Sequence, residues 1–231
     1  LEGKISSAEI NIRDYIHPDH KKIILWDNNF LASPRWKEVI KELQDIGLEV
    51  DFNQGLDARL IDDEKARLLA DLKMGTCRLA YDSANEALAF RKATKLLLDY
   101  GIKNRKILVY ALYNFFDTLN LSGDSPDEFL IRINNILDVG CVAYPMRFEP
   151  LDSLKKGQYI SPLWTNQQLE AIAKARRVMG YGGAFPAYTG LVEKFKTAKC
   201  FDDAFRLRPP VTNAIPNSLN EKGIYRFQET Q

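Results

Sequence analysis

Five short apolar runs recur through the first two thirds of the sequence, and each leads into a polar cluster before a helix-start signal appears. They occupy residues 22–26, 48–52, 77–81, 106–112 and 141–148. Their starts lie roughly 25–35 residues apart, the length of one βα unit. Runs this short, flanked by turn residues, suit buried strands.

Between the runs the hydrophobic period becomes helical. Ser33 and Pro34 read as an N-cap and first helical residue, with Trp36, Val39, Ile40 and Leu43 at helical spacing and Gly47 as the stop. Asp62 can cap a helix reaching to about Lys73. Ser83-Ala-Asn-Glu86 has the pattern of a capping box, in which a hydroxyl and a carboxyl exchange hydrogen bonds with the first turn, and it opens a helix that stops near Gly101. Ser125-Pro-Asp-Glu128 repeats that pattern with Pro at the first position, and its helix ends near Gly140. Beyond Leu151 the alternation stops. Thr165-Asn-Gln-Gln168 opens a helix to Gly180, residues 191–199 suit a short helix, and an extended tail begins at Pro209. The chain therefore divides into a partial α/β barrel over 1–151 and a helical C-terminal extension and tail over 152–231.

Five βα units imply a parallel sheet buried on both faces. The polar residues after each run favour a barrel of TIM type over an open doubly wound sheet. All strand ends converge on one mouth in a barrel, whereas only the switch-point ends converge in an open sheet. Those residues are Asp27, Asn28 and Asn29, then Asn53, Gln54, Gly55, Asp57 and Arg59, then Asp82 and Ser83, then Tyr113 and Asn114, and finally Arg147 and Glu149. No Gly-rich phosphate loop follows the first run, which argues against a dinucleotide fold.

Composition narrows the partners. Lys plus Arg is 32 and Asp plus Glu is 31, so no whole-chain field draws the protein onto nucleic acid or an anionic membrane. No apolar run approaches the ~20 residues of a membrane helix. Cys77, Cys141 and Cys200 are far apart and form no C-x-x-C pair, which speaks against a disulfide framework or a cysteine-built zinc site. The compartment expected is the cytoplasm. Cys77 and Cys141 read as small buried hydrophobes. Pro18 breaks the spacing that a helical metal site on His17 and His20 would use.

The sequence resembles the radical S-adenosylmethionine (radical SAM) superfamily. The likeness rests on Ile-Leu-Trp26-Asp27-Asn28-Asn29-Phe30, on the stretch from Val50 to Arg59, on Leu79-Ala-Tyr-Asp82-Ser83-Ala-Asn-Glu86, and on Met179 to Pro186 with Phe205 to Pro209. It covers about residues 20–210. The resemblance implies strands two to six of a six-stranded radical SAM barrel, with a helical C-terminal extension. The family's C-x-x-x-C-x-x-C loop, which holds a [4Fe–4S] cluster, is absent from the sequence, and the chain starts at Leu1 with no Met, so it reads as a fragment. The implied cofactors of the full-length protein are S-adenosylmethionine and a [4Fe–4S] cluster, with none expected in this chain alone.

By the same resemblance, Asp27 accepts from the methionine ammonium, Asp82 and Ser83 meet the ribose hydroxyls, and Arg59 pairs with the methionine carboxylate. Tyr113, Asn114 and Arg147 face the mouth, and Asn28, Gln54 and Asp57 complete the cofactor-binding set. The function implied is a radical enzyme of unspecified substrate. The alternative is a non-catalytic barrel-like module that binds a nucleoside or a protein partner. A metal-dependent hydrolase using Asp27, Asp82 and a histidine is weaker, since only two histidines exist and neither lies on an expected strand. Simpler roles stand beside these: a turn at Asp27, a helix cap at Ser83, and an ion pair between Asp57 and Arg59. With the first family strand missing, residues 23–26 form a sheet edge open to self-association.

Overall fold

The computed structural model describes residues 11–207. Each apolar run forms a strand. β1 (Lys22–Leu25) leads into α1 (Trp36–Ile46), which Gly47 closes in the left-handed conformation at φ +70°. Ser33 and Pro34 do not open α1. The Ser33 hydroxyl accepts from the Arg35 amide at 3.2 Å, so it caps the turn before the helix, and Arg35 takes the N-cap position.

The second run is kinked. β2 (Glu49–Phe52) ends in a turn at Gly55, φ +88°, and the chain resumes as β3 (Leu56–Asp57). α2 (Asp63–Ala70) is capped by Asp62 as expected, but stops three residues before Lys73. β4 (Cys77–Ala80) follows. Ser83 accepts from the Asn85 amide and Glu86 accepts from the Asp82 amide, so the expected box builds a tight 3-10 turn ahead of α3 (Ala87–Asp99). β5 (Ile107–Tyr113) is followed by a small antiparallel hairpin, β6 (Phe116–Asp117) and β7 (Ser122–Gly123). α4 (Pro126–Asp138) carries the complete Ser125–Glu128 capping box. β8 (Val142–Arg147), α5 (Asn166–Val178) with its Thr165–Gln168 box, α6 (Thr189–Thr197) and α7 (Phe201–Phe205) complete the described chain. The tail expected from Pro209 lies outside the described residues.

The fold is mixed α/β. β1 and β2 form a parallel pair, and β3, β4, β5 and β8 form a four-stranded parallel sheet in that order. Because β2 and β3 are two halves of one kinked segment, the parallel strands succeed each other in chain order. Leu25 pairs with Phe52, Leu79 with both Leu56 and Val109, and Tyr110 with Tyr144. Among the described residues β1 has a strand neighbour on one side only. The opposite edge, at β8, is bridged by the C-terminal segment: Ala143 and Phe185 exchange backbone hydrogen bonds of 2.9 and 2.7 Å.

The sheet is not buried on both faces. Along β5, Ile107, Val109, Ala111 and Tyr113 are buried, while Leu108, Tyr110 and Leu112 between them are only partly covered. The reason lies in the C-terminal helices. Phe201 and Phe205 pack on Phe129 of α4, and Phe195 packs on Phe185 and Phe205. These helices thicken the layer already on the helix-covered face instead of closing the second face. No helix of the described chain is long and apolar enough to cross a membrane.

Candidate functional site

The carboxyl ends of β1, β3 and β4 are joined by a chain of polar contacts. Asn29 donates to Asp57 at 3.4 Å, and Asp57 receives the Arg59 guanidinium in a forked pair at 2.8–3.2 Å. The remaining Arg59 guanidinium nitrogen lies 3.4 Å from Glu86, whose other carboxylate oxygen accepts from the Asp82 amide at 3.1 Å. The expected residues Asp57, Arg59 and Asp82 are thus brought into one network. Its internal link, Asp57–Arg59, is the ion pair that local sequence also suggested. Arg59 and an amide from Asn29 help hold the Asp57 carboxyl below its usual range, against the burial that opposes ionisation.

Asp27, Asn28 and Gln54 stand exposed at the rim. The Asp27 carboxylate accepts from the Asn29 amide at 3.2 Å, the geometry of a turn, and its remaining acceptor positions face solvent. Ser83 caps the 3-10 turn through the Asn85 amide. Asp82 opens into a cavity of about 310 Å³ beside the β6–β7 hairpin, which Ser83, Asn85, Phe115, Asp124 and Glu128 also line. Although solvent reaches it, the surrounding walls strip much of its hydration. This, with repulsion from Glu86, pushes its pKa up to about 6.

Three expected residues serve the structure instead. Tyr113 does not face the mouth: it has the parity of Val109 and Ala111, and its buried ring packs against Phe129 at 5.3 Å and Trp164 at 5.6 Å. Asn114 is fully buried at φ +68°, a conformation Asn tolerates better than most residues. Its amide donates to the Phe148 and Tyr159 carbonyls and accepts from the Ser161 amide. Arg147 donates to the Gly157 and Tyr159 carbonyls at 3.1 and 2.7 Å. Asn114 and Arg147 therefore pin the segment after β8 to the end of the sheet.

Two groups were not singled out from sequence, except for Asn53 and Gln54 in the second. Arg132 of α4, with no exposed surface, donates to the carbonyls of Tyr81 and Leu112 and to Asp124. It ties β4 and β5 together where the mouth begins. Desolvation outweighs the guanidinium's pull on Asp124 and leaves that carboxyl raised to about 6. The signal was a lone Arg among Phe129, Leu130, Ile133 and Ile136. The second group lies on the partly covered sheet face: Trp26, Asn53, Gln54, Arg78, Tyr110, Tyr144 and Met146 line a cavity of about 390 Å³. There Arg78 forms a forked pair with Asp51 at 2.7 and 3.0 Å and donates to the Tyr110 hydroxyl at 3.3 Å.

Cys77 and Cys141 are buried, and burial pushes both thiols up to about 12. Cys200 is exposed. Among the described residues no group of three or more His, Cys, Asp or Glu side chains is placed to hold a metal ion. Comparison with protein-family models, curated proteins and solved structures found no match for this chain.

Proposed function

We propose that the parallel strands curl into the partial barrel of a radical SAM-type enzyme and that their carboxyl ends receive S-adenosylmethionine. One observation carries the curl: the end of β1, the β2–β3 turn, β4, β5 and β8 all contribute side chains to one cavity, while Asp27, Arg59 and Asp82 stand outside that cavity, Asp82 opening into the one beside the β6–β7 hairpin. Parallel strands lie about 4.8 Å apart, so the outermost two of five would stand roughly 19 Å apart in a flat sheet. Curling brings them to a shared concavity, and sequential strand order is what such a curl requires.

In this reading Asp27 supplies free acceptor positions for the methionine ammonium, Arg59 offers its guanidinium to the carboxylate, and Asp82 accepts from the ribose hydroxyls. A carboxylate opposite an ammonium forms the stronger, charge-assisted kind of hydrogen bond. The three cysteines do not suit a [4Fe–4S] cluster. Such a cluster takes clustered thiolates, whereas two thiols here are buried among apolar side chains and the third is exposed. Radical chemistry in this proposal therefore belongs to a longer polypeptide that brings its own cysteine loop, and the residues described here bind and orient the nucleoside. The same misfit favours a second reading, a non-catalytic module for a nucleoside or a protein partner.

Calorimetric titration of S-adenosylmethionine and of adenosine into the whole chain tests both. Saturable binding that prefers S-adenosylmethionine, and that Asp27→Ala weakens by about 10- to 100-fold, supports the first reading. Equal affinity for both ligands supports the second. No saturable binding of S-adenosylmethionine, or an Asp27→Ala variant with unchanged affinity, overturns the assignment of the mouth.

A further inference from the structure

The cavity on the open sheet face has a composition that packing alone does not require. Trp26 is 69% exposed and directly follows β1, an edge strand of which only Ile23 is buried. A large ring left in water forgoes burial that would be worth a few kcal/mol to an apolar side chain of similar size. Facing the same space are two more rings, Tyr110 and Tyr144, in edge-to-face contact at 5.7 Å. Both are fixed in place. The Tyr110 hydroxyl donates to the Asn53 carbonyl at 3.0 Å and accepts from Arg78, and the Arg176 guanidinium stands 4.7 Å from the Tyr144 ring centre. Rigid aromatic surfaces of this kind stack on planar ligands at little entropic cost.

The polar groups of the cavity narrow the ligand. The side-chain amides of Asn53 and Gln54 line it and hydrogen-bond no other group among the described residues. Each amide offers both donors and an acceptor. Arg78, the one charged side chain that lines the cavity, is by contrast already matched. Arg78 and Lys22 pair with Asp51, and Lys22 also reaches Glu49 at 3.3 Å, so two cations meet two anions. Arg176, set against Tyr144, donates to the Gly183 carbonyl and is not among the lining residues. The lining thus presents stacking surface and amide hydrogen bonds with no unmatched charge of its own, which suits a neutral ring.

We infer that this cavity binds a neutral, planar heterocycle with a hydrogen-bonding edge, of the nucleobase class, stacked on Trp26 and read by Asn53 and Gln54. The inference rests on the proposed reading for one point only, that the bound ring is the substrate of the mouth above it.

Tryptophan fluorescence reports on the site directly. Of the three tryptophans, only Trp26 lines the cavity; Trp36 lies against Lys65, and Trp164 is buried. The whole chain is titrated with adenosine, guanosine, cytidine and uridine, and with dihydrouridine, which keeps a hydrogen-bonding edge but has a puckered, non-aromatic ring. Saturable quenching by at least one nucleoside is expected, with dihydrouridine binding at least fivefold more weakly than uridine if uridine binds. By calorimetry Trp26→Ala should weaken the same nucleoside by about 5- to 150-fold. Trp26→Phe should hold affinity within a few fold while losing the quenching, and Gln54→Ala should alter the ranking of the four bases.

The inference is overturned by no saturable quenching with any nucleoside, or by Trp26→Ala binding as tightly as the parent chain. The two proposals fail separately. Loss of nucleoside binding in Trp26→Ala with S-adenosylmethionine binding intact leaves both standing. Quenching that persists in a chain unable to bind S-adenosylmethionine removes only the assignment of the mouth.

Discussion

Two arginines stand at the carboxyl ends of the same parallel strands and are held in opposite ways. Arg132 comes up from α4 with no exposed surface and spends its guanidinium on two strand-end carbonyls and Asp124. Arg59 sits at the rim with a 60% exposed side chain, pairing with Asp57 and Glu86 through contacts that water shares. The first is an anchor: its partners are desolvated, and removing it leaves a buried carboxylate and two carbonyls unpaired. The second is an exchangeable pair, because an exposed guanidinium can trade one carboxylate for another at small cost. The first fixes the strand ends, and the second leaves charged groups at the rim free to re-pair.

The sharpest way to break this comparison is to remove the anchor. Arg132→Ala is expected to cost about 3–5 kcal/mol, the range found when one partner of a buried ion pair is deleted. Urea unfolding followed by circular dichroism measures it. A loss below about 1 kcal/mol would place Arg132 in the same class as an exposed pair and dissolve the distinction.

The contrast also shows what was legible in the sequence. The five strands were visible because each is a short apolar run bounded by turn chemistry. Two capping boxes, Ser125–Glu128 and Thr165–Gln168, formed as written, since a cap depends only on neighbours along the chain. Ser83–Glu86 did not, because Glu86 is drawn to the Asp82 amide and Arg59. Burial on both faces was misjudged for a related reason. Apolar runs such as Ile107–Tyr113 do not reveal that the C-terminal phenylalanines pack behind α4 instead of over the second face. Asp57, Arg59 and Asp82, which share one polar network, were singled out because polar residues after a strand stand out. Tyr113 was misplaced because residue type cannot give parity when the strand ends one residue later than expected. Arg132 was missed because its partners, the carbonyls of Tyr81 and Leu112, are 51 and 20 residues away.

A second test of the mouth uses pH. The Asp82 carboxyl has its pKa pushed up to about 6, first by desolvation and then by Glu86. Only the ionised form offers both oxygens to ribose hydroxyls. Affinity for S-adenosylmethionine should therefore rise with pH through about 6 and level off above it. If the protonated form does not bind, the dissociation constant near pH 5 is about tenfold weaker than near pH 7. By linkage, the bound nucleoside lowers the Asp82 pKa. Calorimetry across this range checks the slope, and Asp82→Asn should flatten it. A profile that is flat in the parent chain, or equally steep in Asp82→Asn, removes Asp82 from the ribose site.

The smallest effect is expected at the exchangeable pair itself, and it separates position from stability. Arg59→Gln breaks contacts to Asp57 and Glu86 at the surface, so unfolding free energy should fall by no more than about 1 kcal/mol. Arg59 also lowers the Asp82 pKa through space, so its removal should move the midpoint of the binding profile to higher pH. S-adenosylmethionine affinity should drop at every pH if the guanidinium meets the methionine carboxylate, whereas adenosine, which has no such group, should lose affinity only through the shifted midpoint. An equal loss for both ligands well above that midpoint would mean that Arg59 shapes the rim without touching the ligand. A stability loss as large as that of Arg132→Ala would show that the rim pair is an anchor too, and the two arginines would no longer differ in kind.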